Sequence, residues 1–214
     1  MKILIACEYS GIVRDAFLAQ GHEAISADLL PTERPGPHYQ GNVLDIINDG
    51  YEMLIAHPPC TRLANSGVRW LQSPPKGKTL EDMQCELQEG AEFYNLLRNA
   101  PIKYKAIENP IMHKYARQLI EPIDRQIIQP WQFGEPEFKA TGFELQNLPD
   151  LVPTEILTRP EPGTLEYKKW SRVHLLPPSP ERWKERSRTM PGIALAMAAQ
   201  WPGKYHLAQM AMPF

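Results

Sequence analysis

The chain has few cysteines, almost no net charge and no long apolar run, and each shortage removes a class of protein. Its 214 residues include three cysteines, Cys7, Cys60 and Cys85, none of them in a CxxC pair. That count and spacing exclude a disulfide framework and a zinc ribbon. Lys and Arg total 23 against 25 Asp and Glu, a net charge of -2. A uniformly basic nucleic-acid coat and a polybasic membrane anchor are therefore excluded, while a local basic surface is not. No apolar stretch approaches the length that spans a bilayer. The opening Met1-Lys2-Ile3-Leu4-Ile5-Ala6 meets Glu8 too soon for a signal peptide. The expectation is a soluble, cytoplasmic protein with no membrane partner.

Proline is the residue in excess. There are 22, and ten of them lie after residue 148, so the C-terminal third should hold few long regular elements. Charge is also uneven. Residues 1–60 carry three basic residues, Lys2, Arg14 and Arg34, against eight acidic ones. Residues 165–190 carry seven (Lys168, Lys169, Arg172, Arg182, Lys184, Arg186 and Arg188) against Glu166, Glu181 and Glu185, with Tyr167, Trp170 and Trp183 interleaved. Such a run can grip phosphates and stack bases through Trp170 or Trp183; equally, it can be a solvated surface with the tryptophans packed as core.

The N-terminal half alternates strand and helix patterns. Ile3–Ala6 and Met53–Ala56 are short continuous apolar runs, the pattern of strands buried on both faces. Ser10 and Gly11 form a turn and N-cap before a helix over Ile12–Gln20, which Gly21 stops. Glu23–Leu29 reads as a second strand, and Lys105–Ile107 as another. Thr79–Asn99 is the best helix, with Leu80, Met83, Leu87, Ala91, Tyr94 and Leu97 on one face. Alternation of this kind predicts an α/β fold, a mostly parallel sheet with helices on both faces. Ligands bind such sheets at the carboxyl ends of the strands. Three polar clusters fall there: Glu8-Tyr9-Ser10-Gly11, Pro58-Pro59-Cys60 and Glu108-Asn109-Pro110.

Cys60 follows two prolines at a strand end, a stiff turn rather than a core position, and reads as a functional thiol. His57 and Arg62 are close enough in sequence to lower its pKa. Glu108 ends the neighbouring strand, because Pro110 biases Asn109 away from helix. Together Cys60 and Glu108 read as a nucleophile and an acid. Other catalytic patterns are missing. No G-x-G-x-x-G follows the first strand and no G-x-S-x-G is present. A zinc deaminase is excluded, since Leu63 stands where its second cysteine would be and no H-x-E precedes it. His57, Cys60 and His113 have no ordered metal-ligand spacing, so no metal site is expected.

These residues resemble the cytosine-5 DNA methyltransferases. Pro59-Cys60-Thr61-Arg62-Leu63-Ala64-Asn65-Ser66-Gly67 is similar to that family's PCQxFSxxG motif, with the cysteine-to-glycine spacing kept. Glu108-Asn109-Pro110 is similar to its ENV motif, and Glu8-Tyr9-Ser10-Gly11-Ile12 resembles its FxGxG cofactor loop. Asp28 matches the acid after the second strand, and Gly41-Asn42-Val43 resembles the GDI motif. Gly134 to Phe143, with Pro136, Glu137 and Lys139, echoes GxPQxRxR, and Arg188 to Ala198, around Gly192-Ile193-Ala194, resembles the GNAV helix. In particular the chain resembles compact members from bacteriophage and prophage genomes.

The resemblance implies a class I, Rossmann-like methyltransferase fold using S-adenosyl-L-methionine to methylate cytosine C5, most simply in DNA, duplex or single-stranded. It implies Cys60 as the nucleophile adding to C6 and Glu108 as the partner of N3. The implied cofactor residues are Glu8, Tyr9, Ser10, Gly11, Asp28, Asn42, Asp45, Pro58, Gly192 and Ala194. Those for the substrate are Arg62, Ser66, Asn109, Lys139, Trp170, Arg172 and Arg188. The chain would divide into a catalytic core over 1–148, a proline-rich basic segment over 149–187 and a C-terminal helix within 188–214. A bacterial or phage-infected host cell would be its setting, with a homo-oligomer or a separate recognition subunit as a further partner.

Departures from the pattern are concentrated. Val13 and Arg14 stand where glycines are usual, Thr61 replaces a glutamine, and Asn42 an aspartate, with Asp45 nearby as a substitute. Between Phe143 and Arg188 lie only about forty residues, far too few for the family's target-recognition domain. Two alternatives follow: a catalytically inactive module that binds nucleic acid or a partner, or the same chemistry on single-stranded DNA or a free cytosine nucleotide.

Overall fold

A computed structural model describes residues 1–109, 111–120 and 124–202. Seven strands, β1 (Lys2–Ala6), β2 (Glu23–Asp28), β3 (His38–Gln40), β4 (Met53–Ala56), β5 (Tyr104–Asn109), β6 (Gln126–Ile128) and β7 (Thr141–Gln146), form one sheet in the order β3-β2-β1-β4-β5-β7-β6. The helices are α1 (Ile12–Ala19), α2 (Leu80–Arg98), α3 (Ala116–Leu119), α4 (Leu165–Trp170), α5 (Arg172–Leu175), α6 (Arg182–Ser187) and α7 (Pro191–Gln200). Strands β1 to β5 run parallel, whereas β7 is antiparallel to both β5 and β6. That order with an antiparallel β7 is the class I methyltransferase, Rossmann-like arrangement.

The apolar runs of β1 and β4 are continuous because each face of the sheet is covered. Ile3, Ile5, Met53 and Ile55 point into a core shared with Val13 and Phe17 of α1 and Ile193 and Met197 of α7. Leu4, Ala6, Leu54 and Ala56 point the other way, onto Leu87, Ala91, Tyr94 and Leu97 of α2. Helix α2 begins as its sequence predicts. Thr79 and Asp82 form a reciprocal capping box, which satisfies two otherwise orphaned N–H groups. Leu80 alone of the predicted face is half exposed, because it sits in the first turn beyond the sheet. The three-residue strands β3 and β6 and the longer β7 carry no long apolar run, so they emerge only as partners in the sheet. The proline-rich stretch over 149–187 is limited to α4, α5 and α6, of 6, 4 and 6 residues.

Arg14, which stands in place of a glycine, is completely buried. Its guanidinium donates to Asp15 Oδ1 at 2.7 and 2.9 Å, to Ser26 Oγ and Thr32 Oγ1, and to the carbonyls of Arg34 and Pro35. One side chain thereby ties α1 to β2 and to the loop after it. A Cβ on Gly11, whose φ is 72°, or on Gly36 would meet this guanidinium, so both positions favour glycine on space as well as backbone. Arg14→Ala would remove a fully buried guanidinium and the six hydrogen bonds by which it holds α1 to β2 and to the loop after it. The expected loss is about 3 kcal/mol, read as a lower urea midpoint with an unchanged slope.

Candidate active site

Strand β4 leads straight into the loop that carries Cys60. His57 N–H donates to Ala6 O, extending the β1–β4 pairing by one residue, after which Pro58 is buried and Pro59 exposed. The Cys60 carbonyl accepts from Leu63 N and Ala64 N at 3.0 and 2.9 Å, closing a tight turn. Gly67 lies against the Thr61 carbonyl so closely that any Cβ would collide with it, which gives the cysteine-to-glycine spacing a steric reason. The loop is stitched from outside by the 111–116 segment. Buried His113 accepts from Ala116 N at Nδ1, leaving Nε2 to donate to Arg62 O at 2.6 Å. His113 N–H donates to Leu63 O, and Asn65 N–H to Ile111 O. Nothing in the sequence marked His113 for this role, since its partners lie 51 residues away.

Glu108 sits near the end of β5, where its backbone pairs with Phe143 of β7. His57 Nδ1 is 2.6 Å from Glu108 Oε2, with the two side chains only 9% and 14% exposed. Lys139 Nζ donates to the Arg188 carbonyl at 2.7 Å. A narrow cavity opens among Glu108, Lys139, Thr141, Phe143, Thr189 and Met190. Burial alone would raise the Glu108 carboxyl, but the His57 hydrogen bond and the charges of His57 and Lys139 outweigh it and hold the group below its ordinary range. Burial raises the Cys60 thiol, Glu108 raises it further, and Lys139 and Arg186 pull it partly back. Cys60, Glu108, Lys139 and Arg186 thus share one electrostatic neighbourhood, with His57 bound to its carboxylate.

Most of the other expected site residues have partners within the protein. Arg62 does not act on Cys60; its guanidinium turns to Glu86 of α2, which also pairs with Lys78. His57 bonds Glu108 instead of activating the thiol directly. Trp170, expected to stack on a base, is 6% exposed, packs against Phe138 at 5.3 Å between ring centroids and donates from Nε1 to Glu166. Arg172 pairs with Glu137 and Glu185, and Arg188 with Glu33 and Glu185, so both guanidinium groups have carboxylate partners within the protein. Ser66 is exposed on the 3-10 segment Asn65–Leu71. The Asn109 side chain lies outside the described residues, as does Pro110.

The expected cofactor residues divide as well. Glu8 is buried and its carboxylate accepts from Val13 N, Arg14 N and Ser10 Oγ, so it caps α1 instead of facing a ligand. Tyr9 is buried and donates to Lys184 O at 2.8 Å, fastening α6 to the first loop. Gly192 N–H donates to Glu135 Oε1, and Ala194 lies in the α1–α7 core. Asn42 caps the 3-10 turn Val43–Asp45, and Asp45 accepts from Tyr39 Oη. Asp28 differs from these. Burial raises its carboxyl, opposed by the backbone N–H groups of Leu30 and Leu29 and by His38, and among the described residues no lysine or arginine pairs with it. Asp28 Oδ1 accepts from Leu30 N at 2.9 Å, and a carboxylate placed so can accept further hydroxyl donors.

Among the described residues no group of three or more His, Cys, Asp or Glu side chains could hold a metal ion, and no helix is long and apolar enough to cross a membrane. No family model and no curated protein matches the chain. It is similar in structure to a protein described as a DNA modification methyltransferase encoded within an E. coli prophage, with a TM-score of 0.46 and 16% identity over 73% of this chain and 51% of that one. The Entamoeba histolytica methyltransferase EhMeth matches with a TM-score of 0.42 and 14% identity over 77% and 57%. The matched part of this chain therefore spans about half the length of those structures.

The charges around Cys60 make a prediction that needs no substrate. Glu108→Gln should lower the thiol pKa and speed Cys60 alkylation by iodoacetamide several-fold at neutral pH, whereas Lys139→Ala should slow it. Peptide mass spectrometry separates Cys60 from exposed Cys85. Equal rates in both variants would show that neither charge reaches the sulfur.

Proposed function

We propose that this chain is an S-adenosylmethionine-dependent methyltransferase acting at cytosine C5, with DNA as its substrate. The observation that carries the reading is the shared neighbourhood of Cys60 and Glu108, delivered by the ends of adjacent strands β4 and β5. A binding module would need neither group, and fold alone would not argue for activity.

Cytosine C5 is a poor nucleophile. Addition of the Cys60 thiolate to C6 makes C5 enamine-like, one difficult step divided into easier ones. The charge that this addition pushes onto the base is met at N3 by Glu108. Lys139 and Arg186 favour the thiolate, offsetting part of the penalty that burial and Glu108 impose on it. S-adenosylmethionine, when bound, supplies the electrophilic methyl group, and Asp28 would hold its ribose hydroxyls. Loss of the C5 proton to a base then expels Cys60 and restores the ring. In a duplex the cytosine would first have to leave the stack.

One observation favours a variant of this reading. The stretch between β7 and α7 contains only short helices, and its Trp170, Arg172 and Arg188 are committed to internal contacts. Base-edge readout requires an element that enters the groove, and none is evident among the described residues. Single-stranded DNA or a free cytosine nucleotide would need no such element.

The test uses isotope-labelled S-adenosylmethionine with duplex DNA, single-stranded DNA, RNA and dCMP, each digested to nucleosides for mass spectrometry. Labelled 5-methylcytosine is expected from at least one substrate. Cys60→Ala should abolish it while leaving cofactor affinity intact, and full turnover by that variant would refute the mechanism. Asp28→Ala should weaken cofactor binding about tenfold or more, as the loss of hydrogen bonds to a charged group implies; unchanged affinity in calorimetry would remove Asp28 from the site.

A further inference from the structure

Helix α6 is anchored on both sides of Arg186. Two residues before it, the Lys184 carbonyl accepts from Tyr9 Oη at 2.8 Å, and Ser187 Oγ lies 3.2 Å from the same hydroxyl. Two residues after it, the Arg188 carbonyl accepts from Lys139 Nζ at 2.7 Å. Tyr9 belongs to the loop after β1, and Lys139 to the turn before β7, whose first residues lie beside the end of β5. Strand β4 runs between β1 and β5. The end of α6 is therefore pinned across the carboxyl ends of these strands, where the Cys60 loop leaves the sheet. Thr189 and Met190, which follow directly, line the cavity with Glu108.

Charge on this helix is divided sharply. Glu181 pairs with Lys184, and Glu185 with Arg172 and Arg188, so both acidic groups beside Arg186 are taken. Among the described residues the exposed Arg186 guanidinium makes no hydrogen bond or ion pair. Neither does that of Arg182 one turn earlier, whose Nε is also buried. Like charges at that spacing repel, and a guanidinium presents its donors in a planar fork that matches a phosphate. We propose that Arg186 grips the phosphate of the target cytidine at the mouth of the Cys60–Glu108 site, with Arg182 adding to the positive field. This assignment rests on the cytosine reading of that site and gives it a substrate contact that no sequence motif marks. The Arg186 charge also favours the Cys60 thiolate, which places it within electrostatic reach of the sulfur. Phosphate contacts position a nucleic acid without reading its sequence, which suits a chain with no groove-entering element among its described residues. A single strand and a free nucleotide both offer the group.

The experiment is calorimetry on the full-length chain with a cytosine-containing single-stranded oligonucleotide, dCMP and deoxycytidine, each over a range of salt. Wild type should bind at least one phosphate-bearing ligand more tightly than deoxycytidine. Arg186→Gln should weaken that ligand about tenfold, as the loss of hydrogen bonds to a charged group implies. With the oligonucleotide it should also flatten the slope of log affinity against log salt by about 0.7, the share of one phosphate on a single strand. Arg186→Lys, which keeps the charge, should keep the slope. Lys2→Gln removes a cation at the opposite, amino end of β1 and should behave as wild type. Arg186-dependent binding of dCMP would show that the nucleotide's own phosphate suffices, whereas dependence with the oligonucleotide alone would show a strand. Equal affinity and slope in wild type and Arg186→Gln would overturn the contact, as would a wild type that prefers neither phosphate-bearing ligand to deoxycytidine. The cytosine reading fails separately: a strand bound through Arg186 yet never methylated would sink that reading and keep the phosphate site.

Discussion

The register of β5 is the constraint on which the site depends. On one side it pairs parallel with β4, Ile107 opposite Ala56; on the other it pairs antiparallel with β7, Glu108 opposite Phe143. Side chains alternate faces along a strand, so a slip of one residue would turn Glu108 toward α2 and bring Ile107 to the site. Two neighbours of opposite direction make that slip expensive, because both ladders and both cores would have to break together. Once β5 is fixed, the end of β4 is fixed beside it, and the Cys60 loop can reach only one place.

Burial then sets the chemistry of what lies there. A carboxylate and a thiol in a shared, half-dry neighbourhood oppose each other's ionisation, since each negative charge raises the cost of the other. Here the conflict is resolved in favour of the carboxylate, which has His57 hydrogen-bonded to it and Lys139 nearby. Cys60 is left with a raised thiol and two more distant cations. A thiol held protonated is protected from casual oxidation and alkylation, and neutralising Glu108 would favour its ionisation. That dependence couples the charge of the Glu108 carboxyl to the ionisation of the Cys60 thiol.

The C-terminal segment explains why basic sequence is not the same as basic surface. Glu33, Glu137 and Glu185 take up Arg172 and Arg188, and Tyr9 grips the Lys184 carbonyl. Arg172 and Arg188 therefore help to hold the segment around α5 and α6 to the loop after β2 and to the turn before β7. Arg14 does similar work at the other edge, where its guanidinium ties α1 to the loop after β2.

Local chemistry written in consecutive residues was legible from the sequence. The apolar runs of β1 and β4, the apolar face of α2, the polar clusters at strand ends and the stiff Pro58-Pro59-Cys60 turn all follow from period, propensity and backbone restriction. These features sufficed for an α/β sheet and for Cys60 and Glu108 as its candidate chemistry. What only tertiary structure decided are partnerships between distant residues. No spacing reveals that β7 inserts antiparallel between β5 and β6, that His57 bonds a carboxylate 51 residues away, or that Arg62 turns to Glu86. Nor could composition tell that Trp170 is core and Glu8 a helix cap. A side chain's hydrogen-bond partner is selected by three-dimensional proximity and by the cost of leaving a buried group unpaired, and neither exists until the chain has folded.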